Sequence, residues 1–201
     1  MIGMIGDLYP GVYAMRTATR CVLAAAMLVL LVQLLHPGPA RGGEKEETSL
    51  TKVGDYAPPF ELRVLNGRTM NTDTISGNVV LLNFFTTWFG PCVAEMPHLQ
   101  KLHERFKDKR LVVVSVGREH SEAEVKTFAE KHKLTYRFAA DPKREAYEQF
   151  ARKYIPRNYV IGPGGKIEYQ SVGFNEAEFE RMVKAIEKAL RDAEPEEPPA
   201  E

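Results

Sequence analysis

The chain has 201 residues, 44% of them hydrophobic, with 27 basic and 27 acidic side chains. Balanced charge of this kind gives no sign of the basic surface that nucleic-acid binding requires. The length suits one globular domain of roughly 140 residues with extensions, not two domains, and no internal repeat is apparent.

Arg16 and Arg20 precede an apolar run over 21–35 (CVLAAAMLVLLVQLL), and His36-Pro37-Gly38-Pro39-Ala40 follows it. Basic, apolar and small-residue regions in that order predict a secretory signal peptide over 1–40, cleaved after Ala40, with Met15 as an alternative true start. The run is shorter than the ~20 residues that span a bilayer, so cleavage is favoured over an uncleaved membrane anchor. Cys21 lies at the start of the run rather than after it, which argues against a lipoprotein site. Its loss with the leader leaves Cys92 as the single cysteine of the mature chain, with no partner for an internal disulfide. Residues 41–52 (RGGEKEETSLTK) read as a flexible linker, 53–191 as the folded domain, and 192–201 (DAEPEEPPAE) as a disordered acidic tail.

Within the domain, residues 60–65 and 69–71, separated by Asn66-Gly67, predict a hairpin. Residues 79–85 (VVLLNFF) read as a strand buried on both faces. A helix is expected to begin near Pro91 and to place Met96, Leu99, Leu102 and Phe106 on one apolar face. Residues 111–116 (LVVVSV) form the next buried strand. Ser121 and Glu124 make a capping box for a helix that buries Val125, Phe128 and Ala129. A short strand follows over 136–138, then a helix over 142–154 with Phe150 and Tyr154 turned inward. Residues 158–161 and 166–172 flank the turn Gly162-Pro163-Gly164-Gly165, and Asn175 with Glu178 caps a last helix carrying Phe179, Met182, Val183, Ile186 and Leu190 to the core. This order predicts an α/β fold: a central mixed sheet with helices on both faces and an extra N-terminal β-hairpin.

Three separated pieces carry a more specific pattern. Residues 53–60 (VGDYAPPF), residues 80–97 with Trp88, Gly90-Pro91-Cys92 and Glu95-Met96-Pro97, and residues 155–161 (IPRNYVI) occur in the order in which they stand in the TlpA/ResA-type redoxins of the thioredoxin superfamily. The chain resembles these secreted or membrane-tethered thiol-disulfide oxidoreductases over roughly 53–190. The resemblance implies a thioredoxin-like fold, an active-site loop at Trp88-Phe89-Gly90-Pro91-Cys92, and a cis Ile155-Pro156 bond facing that loop. In the two-thiol form of the loop, a sulfur at the helix N-terminus is favoured as a thiolate and attacks a disulfide, and the sulfur three residues on resolves the product. Phe89 stands where the attacking cysteine belongs, so that cycle cannot run within this chain. Gly162, in place of a common Asp, is a lesser departure, because glycine also serves a turn.

The resemblance makes Cys92 and Glu95 the catalytic candidates and Trp88, Phe89, Ile155 and Pro156 the substrate-binding candidates. Cys92 is either a lone redox-responsive thiol or a small buried hydrophobe. Glu95 is either a proton shuttle for it or a carboxylate favoured by the dipole of the first helical turn. Trp88 is either a partner contact or a cover for the core. Ile155 pairs with substrate backbone in the manner of an added strand. No cofactor and no metal site is implied, since His98, His103, His120 and His132 form no ligand pair on one helix face. The expected function is at most one-thiol redox work through Cys92 on a protein, peptide or small thiol. The alternative is an inactive binding module that presents the peptide groove. A peroxiredoxin-like antioxidant, which needs Thr where Phe89 stands, and a copper chaperone are lesser readings. The expected state is a periplasmic monomer, membrane-bound only if the leader is uncleaved.

Overall fold

A hairpin of β1 (Glu61–Arg63) and β2 (Thr69–Asn71) precedes β3 (Val79–Phe85), α1 (Gly90–Arg105), β4 (Leu111–Arg118), α2 (Glu122–Lys131), β5 (Arg137–Asp141), α3 (Tyr147–Phe150), β6 (Arg157–Ile161), β7 (Ile167–Val172) and α4 (Glu176–Asp192). The structure is a computed structural model that describes residues 47–107 and 109–193. The predicted signal peptide and most of the acidic tail lie outside the described residues, and no helix among those described is long and apolar enough to cross a membrane.

Five strands form one sheet in the order β5-β4-β3-β6-β7, parallel across β3, β4 and β5 and antiparallel at β6 and β7. β3 is central and buried at every position, which explains its apolar run. Its alternate residues serve two layers. Val79, Leu81 and Phe85 pack with Met96, Leu99 and Leu102 of α1, Val125 and Phe128 of α2, and Met182 and Ile186 of α4. Val80, Leu82 and Phe84 pack with Tyr147 and Phe150 of α3 and with Leu62 and Met70 of the hairpin. The predicted mixed sheet with helices on both faces and the extra hairpin are therefore present.

Local signals behave as their chemistry requires. The Ser121–Glu124 capping box is closed in both directions. Asn175 accepts from the Glu178 N–H at 2.9 Å, but the Glu178 carboxylate turns to Tyr169 and Arg181 instead of closing a box. Gly67 takes φ +82° in the hairpin turn, a conformation that side chains disfavour. Gly117 has no room for a side chain, because a Cβ there would lie 2.4 Å from Val125 Cγ2.

Three expectations change. The strand expected over 136–138 runs as Arg137–Asp141, because it follows the parallel register of β4 from Val114↔Arg137 to Arg118↔Asp141. The helix expected over 142–154 is a single turn, and Tyr154 is exposed with φ +68° instead of facing inward. The chain reverses at Arg144, also at positive φ, and Asp141 accepts the Tyr147 N–H at 2.8 Å. After that turn Ala151 leaves the helix to pair with Ser49. The same contact corrects the reading of 41–52 as a flexible linker throughout: Leu50 N–H donates to Phe150 O, Thr51 is buried against Gln170, and the buried guanidinium of Arg157 donates to Ser49 Oγ and Thr48 Oγ1.

Leu99 is enclosed between α1 and the sheet, so Leu99→Ala is expected to cost ~2–5 kcal/mol, whereas Trp88→Ala, at an exposed position, stays within about 0.5 kcal/mol of wild type. Urea unfolding followed by circular dichroism measures both.

Candidate functional site

The site forms where β3 ends and α1 begins. Thr86 to Phe89 link the two, Phe89 is the N-cap residue, and its carbonyl accepts the Val93 N–H at 3.1 Å. The side chain of Phe89 makes no cap hydrogen bond, and the first turn contains no acidic residue. Pro91 is tolerated there because its missing N–H would be unpaired in any case. Glu95 accordingly lies beyond the first turn, and the reading of it as a carboxylate favoured by the helix end does not hold.

Cys92 is 0% exposed and belongs to the apolar layer between α1 and the sheet. Burial pushes its thiol up to about 12; the Thr86 backbone works against that, the Glu95 charge adds to it, and Arg118 and the Thr86 hydroxyl oppose it. At neutral pH the thiol therefore keeps its proton and the reactive thiolate is strongly disfavoured. Phe89 is partly buried against the same layer, and its ring meets that of Trp88 edge-on at 6.1 Å. Trp88 is 70% exposed, so of its two readings the core cover is excluded.

Glu95 is 1% exposed, with each carboxylate oxygen accepting from an amide: Oε2 from Asn83 Nδ2 at 3.0 Å and Oε1 from Asn158 Nδ2 at 2.6 Å. Asn83 Nδ2 also donates to Asn158 Oδ1 at 2.9 Å, and Ser115 Oγ donates to Asn83 Oδ1 at 2.8 Å. Tyr136 continues the network, its hydroxyl 3.2 Å from Ser115 Oγ and 3.0 Å from Met96 Sδ. Burial raises the Glu95 carboxyl to about 8, against the two amide donors, which favour the ionised form. Asn83, Ser115, Asn158 and Tyr136 escaped the sequence reading. The signal was there: Asn83 and Ser115 interrupt apolar runs and Asn158 precedes one, and the registers Asn83↔Ser115 and Asn83↔Asn158 set them in one row beneath α1.

The Ile155-Pro156 bond is cis, as the resemblance implies. The register Phe84↔Arg157 carries Ile155 and Pro156 past the end of β6 to the end of β3 that bears Cys92. Ile155 is partly buried and touches both apolar layers. A further contact not foreseen steadies the loop: His120 Nε2 accepts the Thr87 N–H at 3.0 Å. The His98 ring, by contrast, meets Phe174 at a tilt and Phe179 edge-on, each with centroids 5.2 Å apart. Among the described residues no group of three or more His, Cys, Asp or Glu side chains could hold a metal ion. The structure thus brings Cys92, Glu95, Phe89, Trp88, Ile155 and Pro156 to one end of the sheet, with Cys92, Glu95 and Pro156 buried.

Two measurements follow from these environments. The unfolded chain loses the Glu95 proton near 4.5 and the folded chain near 8, so between those values the folded state binds more protons and its stability falls as pH rises. In Glu95→Gln that fall should be absent, and the difference between the two proteins across the window is expected to reach on the order of a few kcal/mol in urea titrations. Parallel profiles would refute the assignment. With Cys21→Ser in place, Cys92 should resist a chromogenic aryl disulfide at pH 7 on the scale of minutes and react promptly in urea.

Residues 53–170 match the AhpC/TSA family. The thiol-disulfide oxidoreductase ResA of Oceanobacillus iheyensis is 29% identical over 78% of this chain and 79% of its own length. The thioredoxin-like protein YneN of Bacillus subtilis is 34% identical over 75% of this chain and 89% of its own. The crystal structure of a Chlorobium tepidum protein assigned as the thiol:disulfide interchange protein DsbE superposes with a TM-score of 0.64 at 29% identity, covering 69% of this chain and 98% of that one. Loop, buried acid and proline strand thus occur on the scaffold these relatives share, and the chain belongs to the AhpC/TSA family as a TlpA/ResA-like redoxin of the thioredoxin superfamily, among the thiol-disulfide oxidoreductases.

Proposed function

We propose that this redoxin acts as a binding module: the rim of Trp88, Phe89, Ile155 and Pro156 holds an extended segment of a partner protein, and Cys92 takes no part in turnover. The observation that carries the reading is the complete burial of Cys92 next to an apolar residue at the attacking position. Burial of a neutral thiol among apolar groups is favourable, and forming the thiolate there is strongly opposed. The rim has the opposite character. An exposed Trp backed by a half-buried Phe offers apolar contact area with little rotamer entropy to lose, the composition of a binding hot spot. Ile155 supplies a backbone edge beside it for strand addition, and the buried Pro156, whose carbonyl accepts the Gly173 N–H at 2.8 Å, holds that edge in place. Export to the periplasm rests on the order of basic, apolar and small residues over 16–40.

The competing reading is a one-thiol cycle. Cys92 as thiolate would attack a partner disulfide, forming one S–S bond and releasing the partner's other sulfur as a thiolate, and an external thiol would then displace Cys92. The Thr86 groups that lower the thiol's pKa favour it, and its burial opposes it.

Selection from a displayed library of random peptides separates the two. The binding reading expects Cys92→Ala to retain the peptides chosen by wild type and Trp88→Ala to weaken them about tenfold or more. Peptides held only when Cys92 is present, and released by a reductant, would overturn it. In an insulin-disulfide reduction assay wild type should be inactive, and Phe89→Cys, which restores the two-thiol spacing, should gain activity.

A further inference from the structure

A cleft of about 550 Å³ lies at the other end of α1 from Cys92, between the last turn of that helix, α2, the β1–β2 turn and the first residues of β4 and β5. Its volume falls within the range of small-molecule sites. Leu111, Val113, Leu134 and Phe138 form an apolar floor, and the Tyr136 ring stacks on Phe138 with centroids 4.5 Å apart. Lys107, Lys126 and Arg137 surround that floor, each from a different part of the chain, with Glu130 as the acid among the lining residues. Among the described residues none of these three cations is paired with a carboxylate. His103, also in the lining, is held below its ordinary range by burial and by Arg137.

An apolar floor inside a ring of unpaired cations is complementary to a molecule with an apolar body and one anionic head. Water would solvate the cations but gain nothing from the floor, and an uncharged apolar molecule would leave the cations without partners. A carboxylate answers both, because the planar Arg137 guanidinium can take both of its oxygens while Lys107 and Lys126 add charge from either side. Nothing in the peptide-binding rim bears on this cleft, which is lined by neither Trp88, Phe89, Ile155 nor Cys92.

We propose that this cleft binds a single-chain amphipathic carboxylate of the medium-chain fatty-acid class, with its chain on Leu111, Val113, Leu134 and Phe138 and its head toward Arg137, Lys107 and Lys126. The test is a methyl-detected NMR titration of the full chain with decanoate, 1-decanol and decyl phosphate. Decanoate should give saturable shifts at Leu111, Val113 and Leu134 with a midpoint below about 1 mM, and decanol should bind at least about tenfold more weakly. The double variant Lys107→Gln/Arg137→Gln should lose about tenfold or more in decanoate affinity, while Lys188→Gln, an exposed cation outside the cleft, should change nothing. Absence of saturable shifts, equal binding of decanol, or an unaltered affinity in the double variant overturns the site. Tighter binding of decyl phosphate than of decanoate overturns the choice of head group. Because Trp88 and Cys92 lie outside the cleft, failure here leaves the peptide-binding reading intact, and failure there leaves this one intact.

Discussion

The Glu95 carboxylate, buried beneath α1 and held by the amides of Asn83 and Asn158, is the contact on which the arrangement of the site depends. It joins the helix that carries Cys92 to two adjacent strands at once, and Ser115 and Tyr136 extend the tie to β4 and the start of β5. A bare carboxylate in this layer would be costly, and the row of polar side chains exists to answer it. The compensation is incomplete. Both oxygens accept hydrogen bonds, yet burial still raises the group to about 8. Such a group fixes the position of α1 by geometry more than by charge.

That geometry also sets the character of Cys92. The sulfur sits three residues before Glu95 on the same inward face of the helix and is enclosed with Met96 and Leu99. A helix N-terminus ordinarily favours a thiolate, but that influence is felt by a sulfur exposed at the helix end. Here the desolvation of the sulfur outweighs every group that would stabilise its charge. Phe89, at the helix N-terminus, is continuous with the apolar layer, and Trp88 beside it is exposed. The same loop thus has a buried inner face and an exposed outer one.

Much of the fold could be read from residues taken a few at a time. The run over 79–85, the Ser121–Glu124 box and the Asn66-Gly67 turn are local features whose physics involves neighbours in sequence, and each appears where it was expected. The helix expected over 142–154 failed for a nonlocal reason. Its pattern of apolar residues was adequate, but Ala151 and Arg157 are engaged by residues 48–50, about a hundred positions earlier. Segment 47–52 looked like linker because it is polar. Its backbone and hydroxyl groups, however, are what the end of α3 and the buried Arg157 guanidinium require. At the site, Cys92, Glu95, Trp88, Phe89, Ile155 and Pro156 were legible from the loop and the proline strand. Asn83, Ser115 and Asn158 were not, since each was seen as a polar residue in its own strand until the sheet register aligned them.

The sequence by itself determined the order and type of the elements, the family, and the presence of Phe89 three residues before Cys92 with no second cysteine near it, because these are properties of local pattern and residue identity. Only the tertiary structure decided that Cys92 is sealed, that Glu95 rests on a row of amides, that Trp88 faces solvent and that three cations ring an apolar cleft at the far end of α1. Each of these is a matter of solvation, and solvation at a residue is set by segments distant in the chain that fold over it or leave it bare.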